Sequence, residues 1–94
     1  MTDVYEALAA PTRRAILDAL AASSTEQTLF ELLNRLRYDH QVTLTRQAIS
    51  QHLQVLEEAG LVHRRRSGRT VLHHYDPTPL VQIARRWPVS QEES

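Results

Sequence analysis

Cysteine is absent from this chain of 94 residues. Its absence excludes disulfide staples, thiol redox chemistry and thiolate metal sites, and leaves any metal to His, Asp and Glu. No apolar run approaches the roughly 18 residues of a membrane span, and the opening MTDVYEAL has no basic stretch followed by an apolar one. Neither a membrane span nor a signal peptide is expected, and the expected location is the cytoplasm. Lysine is missing too, since all 11 basic residues are Arg. Genome composition is one reading of that bias. The fit of a planar guanidinium to phosphate and guanine is the other. Net charge is also lacking: 11 bases balance 11 acids, so no overall field draws the chain toward nucleic acid. Nothing resembles a nucleophile with its base, a metal triad or a phosphate loop, so neither catalysis nor a cofactor is expected.

What is present suffices for one domain. The hydrophobic fraction is 41%, and the chain shows no internal repeat and no low-complexity tract. The expectation is a single domain over 1–94, with an ordered core at 4–87 and a tail at 88–94. A chain this short buries only roughly 60 to 65% of its unfolded surface, and it gains stability if a partner adds core.

Apolar spacing and capping residues predict the elements. Val4, Tyr5 and Leu8 mark a short first helix ending near Pro11. Pro11 suits the first turn of a second helix, whose Ile16, Leu17 and Leu20 form a stripe reaching about Ala22. Thr28 with Glu31 reads as a capping box for a third helix through Leu29, Leu32, Leu33 and Leu36 to about Arg37. Thr45 is the expected N-cap of a fourth, with Ile49, Leu53 and Leu56 facing inward and a stop at Gly60. From Leu61 to Tyr75 the period shifts to strand, with two arms on either side of Ser67 and Gly68. Pro77 opens a last helix carrying Leu80, Ile83, Ala84 and Trp87 on one stripe, before Pro88. The predicted class is mainly α with a small β-hairpin: five helices and a two-stranded ribbon.

The fourth helix and the ribbon carry the functional signal. Opposite the helix's core stripe lie Gln47, Gln51 and Gln54, flanked by Arg46 and Ser50. Their forked donors and acceptors match the edges of guanine and adenine in a major groove. Glu57 and Glu58 at the other end would be repelled by phosphate, so the N-terminal turns are the ones expected to enter. Taken alone, the stripe also reads as the solvated face of an ordinary amphipathic helix. Four of the bases, Arg64, Arg65, Arg66 and Arg69, crowd the ribbon's tip, where their repulsion calls for an anion and phosphate is the obvious one. Strand alternation keeps all four from one backbone at once, and Arg65, Arg66 and Arg69 are favoured. A solvated charge run is the alternative. The histidines at 40, 52, 63, 73 and 74 are scattered, and adjacent His73 and His74 point to opposite faces of a strand, which argues against a metal site.

APTRRAILDAL, AISQHLQVLEEAGLV and the RRRSGR wing together resemble the ArsR-type (arsenic-repressor-like) winged helix-turn-helix regulators, over roughly residues 4 to 87. The resemblance implies a bacterial transcriptional regulator, a homodimeric repressor that blocks promoter access on double-stranded operator DNA. It implies that Arg46, Gln47, Ser50, Gln51 and Gln54 read bases. Thr45, His52, Arg64, Arg65, Arg66 and Arg69 would contact the DNA backbone or form the wing, and Arg13 and Arg14 lie near the DNA side. Such regulators dimerise through their first and last helices, which points to Val4, Tyr5, Leu8, Leu80, Ile83, Ala84 and Trp87; domain core is the competing reading of that stripe. The cysteine ligands of metal-sensing relatives are missing from TLFELLNRL, and PLVQIARRW lacks the ligands other relatives carry. The sequence names no small-molecule effector. YDHQVTL departs from the pattern, making the connection before the fourth helix about six residues longer than the usual short turn. It either lengthens the third helix or forms a loop. A different class of reading remains, a winged-helix protein-interaction module whose basic wing docks an acidic partner.

Overall fold

The computed structural model describes residues 2–89, and the expected tail falls outside the described residues from Ser90 onward. Five helices and three strands form: α1 (Val4–Leu8), α2 (Pro11–Ala22), β1 (Gln27–Thr28), α3 (Leu29–Asp39), α4 (Arg46–Glu58), β2 (Val62–Ser67), β3 (Thr70–Tyr75) and α5 (Thr78–Arg86). The expected caps are in place. Thr28 accepts from the Glu31 amide at 3.1 Å while Glu31 accepts from the Thr28 amide at 2.9 Å, a reciprocal capping box. Thr45 Oγ1 accepts from the Ala48 amide at 3.0 Å.

α4 ends in a Schellman motif. Gly60 takes a φ of +79°, its amide donates to Glu57 at 3.0 Å, and the Leu61 amide reaches back to Leu56 at 3.0 Å. Leu56 and Leu61 are both fully buried, so the turn also starts the wing on the core. That core is built by Ile16, Leu17 and Leu20 of α2, Leu32 and Leu36 of α3, and Ile49, Leu53 and Leu56 of α4. α5 contributes no buried residue, although Leu80 packs partly against the cluster.

Three details differ from the sequence expectation. The ribbon is a three-stranded antiparallel sheet in the order β1-β3-β2, with Gln27 opposite His73 and Thr28 opposite Leu72. β1 has two polar residues and no alternation; its strand geometry comes from the free edge of β3, which it also covers. The hairpin turn is Gly68-Arg69 rather than Ser67-Gly68, because Ser67 pairs with Thr70. Gly68 has a φ of +62° and Arg69 has no positive φ, the pattern of a type II′ turn with glycine first. Lastly, YDHQVTL does both things open to it. α3 runs on to Asp39, and the chain then turns at Gln41 (φ +54°), where the Val42 amide donates to Leu36 at 2.9 Å. Val42 and Leu44 lean on the core, so this connection is anchored.

Candidate nucleic-acid interface

With Ile49, Leu53 and Leu56 held in the core, α4 must turn its other side to solvent. Arg46, Gln47, Ser50, Gln51 and Gln54 are all exposed there. Between this helix and the wing runs an open groove of about 690 Å³, lined on the helix side by Arg46, Ser50 and Gln54 and on the wing side by Arg64, Arg69 and Val71. The N-terminus of α3 forms its end, through Thr28, Leu29 and Phe30. Thr45 is exposed with its hydroxyl oxygen engaged as the cap. His52 is half-buried, with Nδ1 3.4 Å from Arg13 Nη1; burial, and then the Arg13 charge, push its pKa below the ordinary imidazole value.

The wing has two electrically different faces. Alternation places Arg64 and Arg66 on the face that also carries Val71 and His73, two residues of the groove wall. Arg64 is tied to α4 by an ion pair with Glu57 at 2.9 Å. No ion pair engages Arg66 or Arg69 among the described residues. On the reverse face Arg65 pairs with Glu26 at 2.5 Å, and His74 Nδ1 lies 3.1 Å from the same carboxylate. The Arg65 hydrogen bond holds Glu26 below the usual carboxylate range, and the same contact raises Arg65. His63 stands opposite His74, ring centroids 5.4 Å apart, and meets Asp76 at 2.8 Å. His73 points the other way, 4% exposed, its Nδ1 3.1 Å from the Gln27 carbonyl oxygen. Among the described residues no three His, Asp or Glu side chains gather as a metal-holding group.

An exposed polar helix beside a basic hairpin, with a groove between them, is the arrangement of a DNA reader. Residues 8–65 match the helix-turn-helix domain family. The chain is 42% identical over 84 residues to YuzN, an uncharacterized HTH-type transcriptional regulator of Bacillus subtilis (strain 168), covering 89% of this chain and 90% of that one. Among solved structures, a possible transcriptional regulator for arsenical resistance superposes with a TM-score of 0.72 at 39% identity, over 93% of this chain and 82% of that one. An ArsR-like transcriptional regulator from Rhodococcus sp. RHA1 gives a TM-score of 0.72 at 30% identity, over 88% and 69%. The chain belongs to the ArsR-like winged helix-turn-helix family. It is a DNA-binding transcriptional regulator.

In this ArsR-like chain an aromatic pair links the first helix to the C-cap of the last. Tyr5 and Trp87 meet edge to face with centroids 6.5 Å apart, and Arg86 covers the Trp87 ring at 4.4 Å. Tyr5 and Trp87 remain 51% and 53% exposed, Ala84 is exposed and Ile83 half-buried, whereas Val4, Leu8 and Leu80 pack partly on the core. The stripe thus divides between core and surface. Trp87 stands just beyond α5, as its C-cap. No helix of the described residues is long and apolar enough to cross a membrane.

Two functions were missed in the sequence. Arg13 donates from Nε to the Ala7 carbonyl at 2.9 Å and from Nη2 to Glu6 at 3.0 Å, and Arg14 donates to Leu8 at 2.7 Å. Both guanidiniums therefore bond the carbonyls that end the five-residue α1, including that of Glu6, which the Ala9 amide also reaches. Glu26 and Glu57 as counter-ions of the wing were the second omission. Glu26 sits 39 residues from Arg65, and Glu57, though only about two helical turns before Arg64, reaches it across the end of α4 and the start of the wing, so periodicity announces neither pairing.

Proposed function

We propose that this regulator is a homodimeric repressor that occupies an imperfect palindrome and blocks promoter access. The observation that carries the reading is the groove between the exposed polar side of α4 and the wing face bearing Arg64 and Arg66. α4 enters the major groove N-terminus first. Arg46, Gln47, Ser50, Gln51 and Gln54 address base edges, while Arg66 and Arg69, free of ion pairs among the described residues, hold phosphate. Dimerisation through α1 and α5 is supported by an apolar stripe on α5 that the chain's own core leaves without a single fully buried residue. A two-fold dimer presents two α4 helices to half-sites about 34 Å apart, which is why the operator is proposed as a palindrome.

Selection of duplexes from a random pool, followed by titration of Gln51→Ala, tests this function. The selected sites should be palindromic. The variant should lose roughly 1 to 3 kcal/mol per lost base contact on the selected duplex and almost nothing on random DNA. Equal weakening on both would show that Gln51 does not read sequence, and failure to enrich any duplex would refute the interface.

A further inference from the structure

Phe30 is out of place by ordinary packing rules. It is the second residue of α3, where Leu32 and Leu36 are fully buried, yet the residue is 64% exposed. The exposed Tyr5 and Trp87 meet each other, and Phe30 is not part of that pair. It lines the groove between α4 and the wing together with Arg46, Ser50, Gln54 and Arg69. On its other side it walls a second, smaller cleft with Leu33, Arg37 and the Thr43–Leu44 stretch of the α3–α4 connection. The phenyl ring is therefore a ridge between two depressions on the surface assigned to DNA.

A phenyl ring offers no conventional hydrogen-bond donor or acceptor, so it gains little from phosphates or from the polar edges of bases. One apolar group stands on base edges in the major groove, the C5-methyl of thymine, and Phe is among the side chains that pack against it. Arg46 and Ser50, one helical turn apart on α4, border the same groove, so a base edge presented to them passes the ring. We propose that Phe30 is a specificity-determining residue, packing on the C5-methyl of a thymine beside the bases addressed by Arg46 and Ser50. Sequence is then read by two helices, with α3 supplying an apolar contact that α4 lacks. This rests on the DNA-facing assignment of the groove.

The test uses the full chain and duplexes that the wild-type protein recovers from a random pool. Thymines are replaced singly by deoxyuridine, which removes the methyl group alone. For the wild type, one thymine position per half-site should cost about fourfold in affinity, the burial of one methyl. Phe30→Ala should lose at least as much on the thymine duplex and be indifferent to uracil at that position, whereas Phe30→Leu should keep part of the discrimination. Binding to random DNA and its salt dependence should not change, and because the ring is exposed the melting temperature should hold. The assignment is overturned if no thymine responds to demethylation in the wild type, if Phe30→Ala still senses the same uracil, or if random DNA is weakened equally. The uracil series in the wild type needs no variant to fold. Should the wild type enrich no duplex at all, the interface itself falls; a wild type that enriches duplexes without a methyl-sensitive position removes only Phe30.

Discussion

Replacing Arg66 with Ala should change how binding responds to salt, and replacing Arg65 should not. The two are adjacent in sequence and occupy opposite faces of β2. Arg65 is held by Glu26, its guanidinium already committed to a carboxylate. Arg66 has no ion-pair partner among the described residues and shares its face with the groove wall. A dimer loses two phosphate contacts when Arg66 is removed, and at about 0.9 per contact the slope of log affinity against log salt should shrink by about 1.8. The penalty of Arg66→Ala should then fall about twelvefold between about 50 and about 200 mM salt, because a fourfold change is raised to that power. Arg65→Ala should run parallel to the wild type across the same range. Fluorescence anisotropy on one random-sequence duplex at several salt concentrations measures both. Parallel lines for Arg66→Ala, or a slope for Arg65→Ala as shallow as that expected of Arg66→Ala, would refute the division of the wing into a phosphate face and a self-neutralised face.

Two further outcomes bear on assembly and on acid stability. If the proposed dimer forms through this stripe, Ile83→Glu should give a monomer in sedimentation velocity, because an unpaired carboxylate would be buried between copies; Leu80 is the poorer choice since it also packs on its own core. An unchanged dimer would move the interface off this stripe. Asp76 is held at about 2, down from 3.8, by hydrogen bonds from Thr78 and then from His63. A carboxylate lowered in the fold stabilises it at pH values above its unfolded pKa, and that contribution is lost as pH falls from about 4 to about 2. Asp76→Asn should lack this part of the acid-induced drop in melting temperature, and superimposable profiles would show that the contact contributes nothing.

Much of the architecture was legible in the sequence because its signals are local. Thr28 with Glu31, Thr45 and Gly60 each act on backbone within a few residues, and the Ile49, Leu53, Leu56 spacing fixes which side of α4 faces out. β1 was not legible, since Gln27 and Thr28 become a strand only through His73 and Leu72, more than forty residues on. The hairpin slipped by one residue because a lone Gly68 fits either central position, and cross-strand pairing, not the turn, chooses between them. At the interface, the exposure of Arg46, Gln47, Ser50, Gln51 and Gln54 followed from periodicity, whereas the ion pairs of Arg64 and Arg65 depend on tertiary placement of Glu57 and Glu26. Phe30 was legible only in part. The stripe of Leu29, Leu32, Leu33 and Leu36 leaves Phe30 outside it, but only the packed fold shows that nothing else covers it and that it borders the groove.

The stop of α4 has a consequence for how the regulator meets DNA. Gly60 turns the chain, Leu61 is pinned under Leu56, and Arg64 is bonded back to Glu57, so helix and hairpin are joined at three points within one short stretch. These contacts tie the base of the wing to the reading helix in the free protein. To the extent that they hold, binding requires less ordering of the protein and loses less affinity to it. The duplex then becomes the more compliant partner. Sites whose base steps bend easily to the width of the groove gain affinity over stiffer ones with identical contacted bases, so flanking sequence that no side chain touches becomes part of the operator.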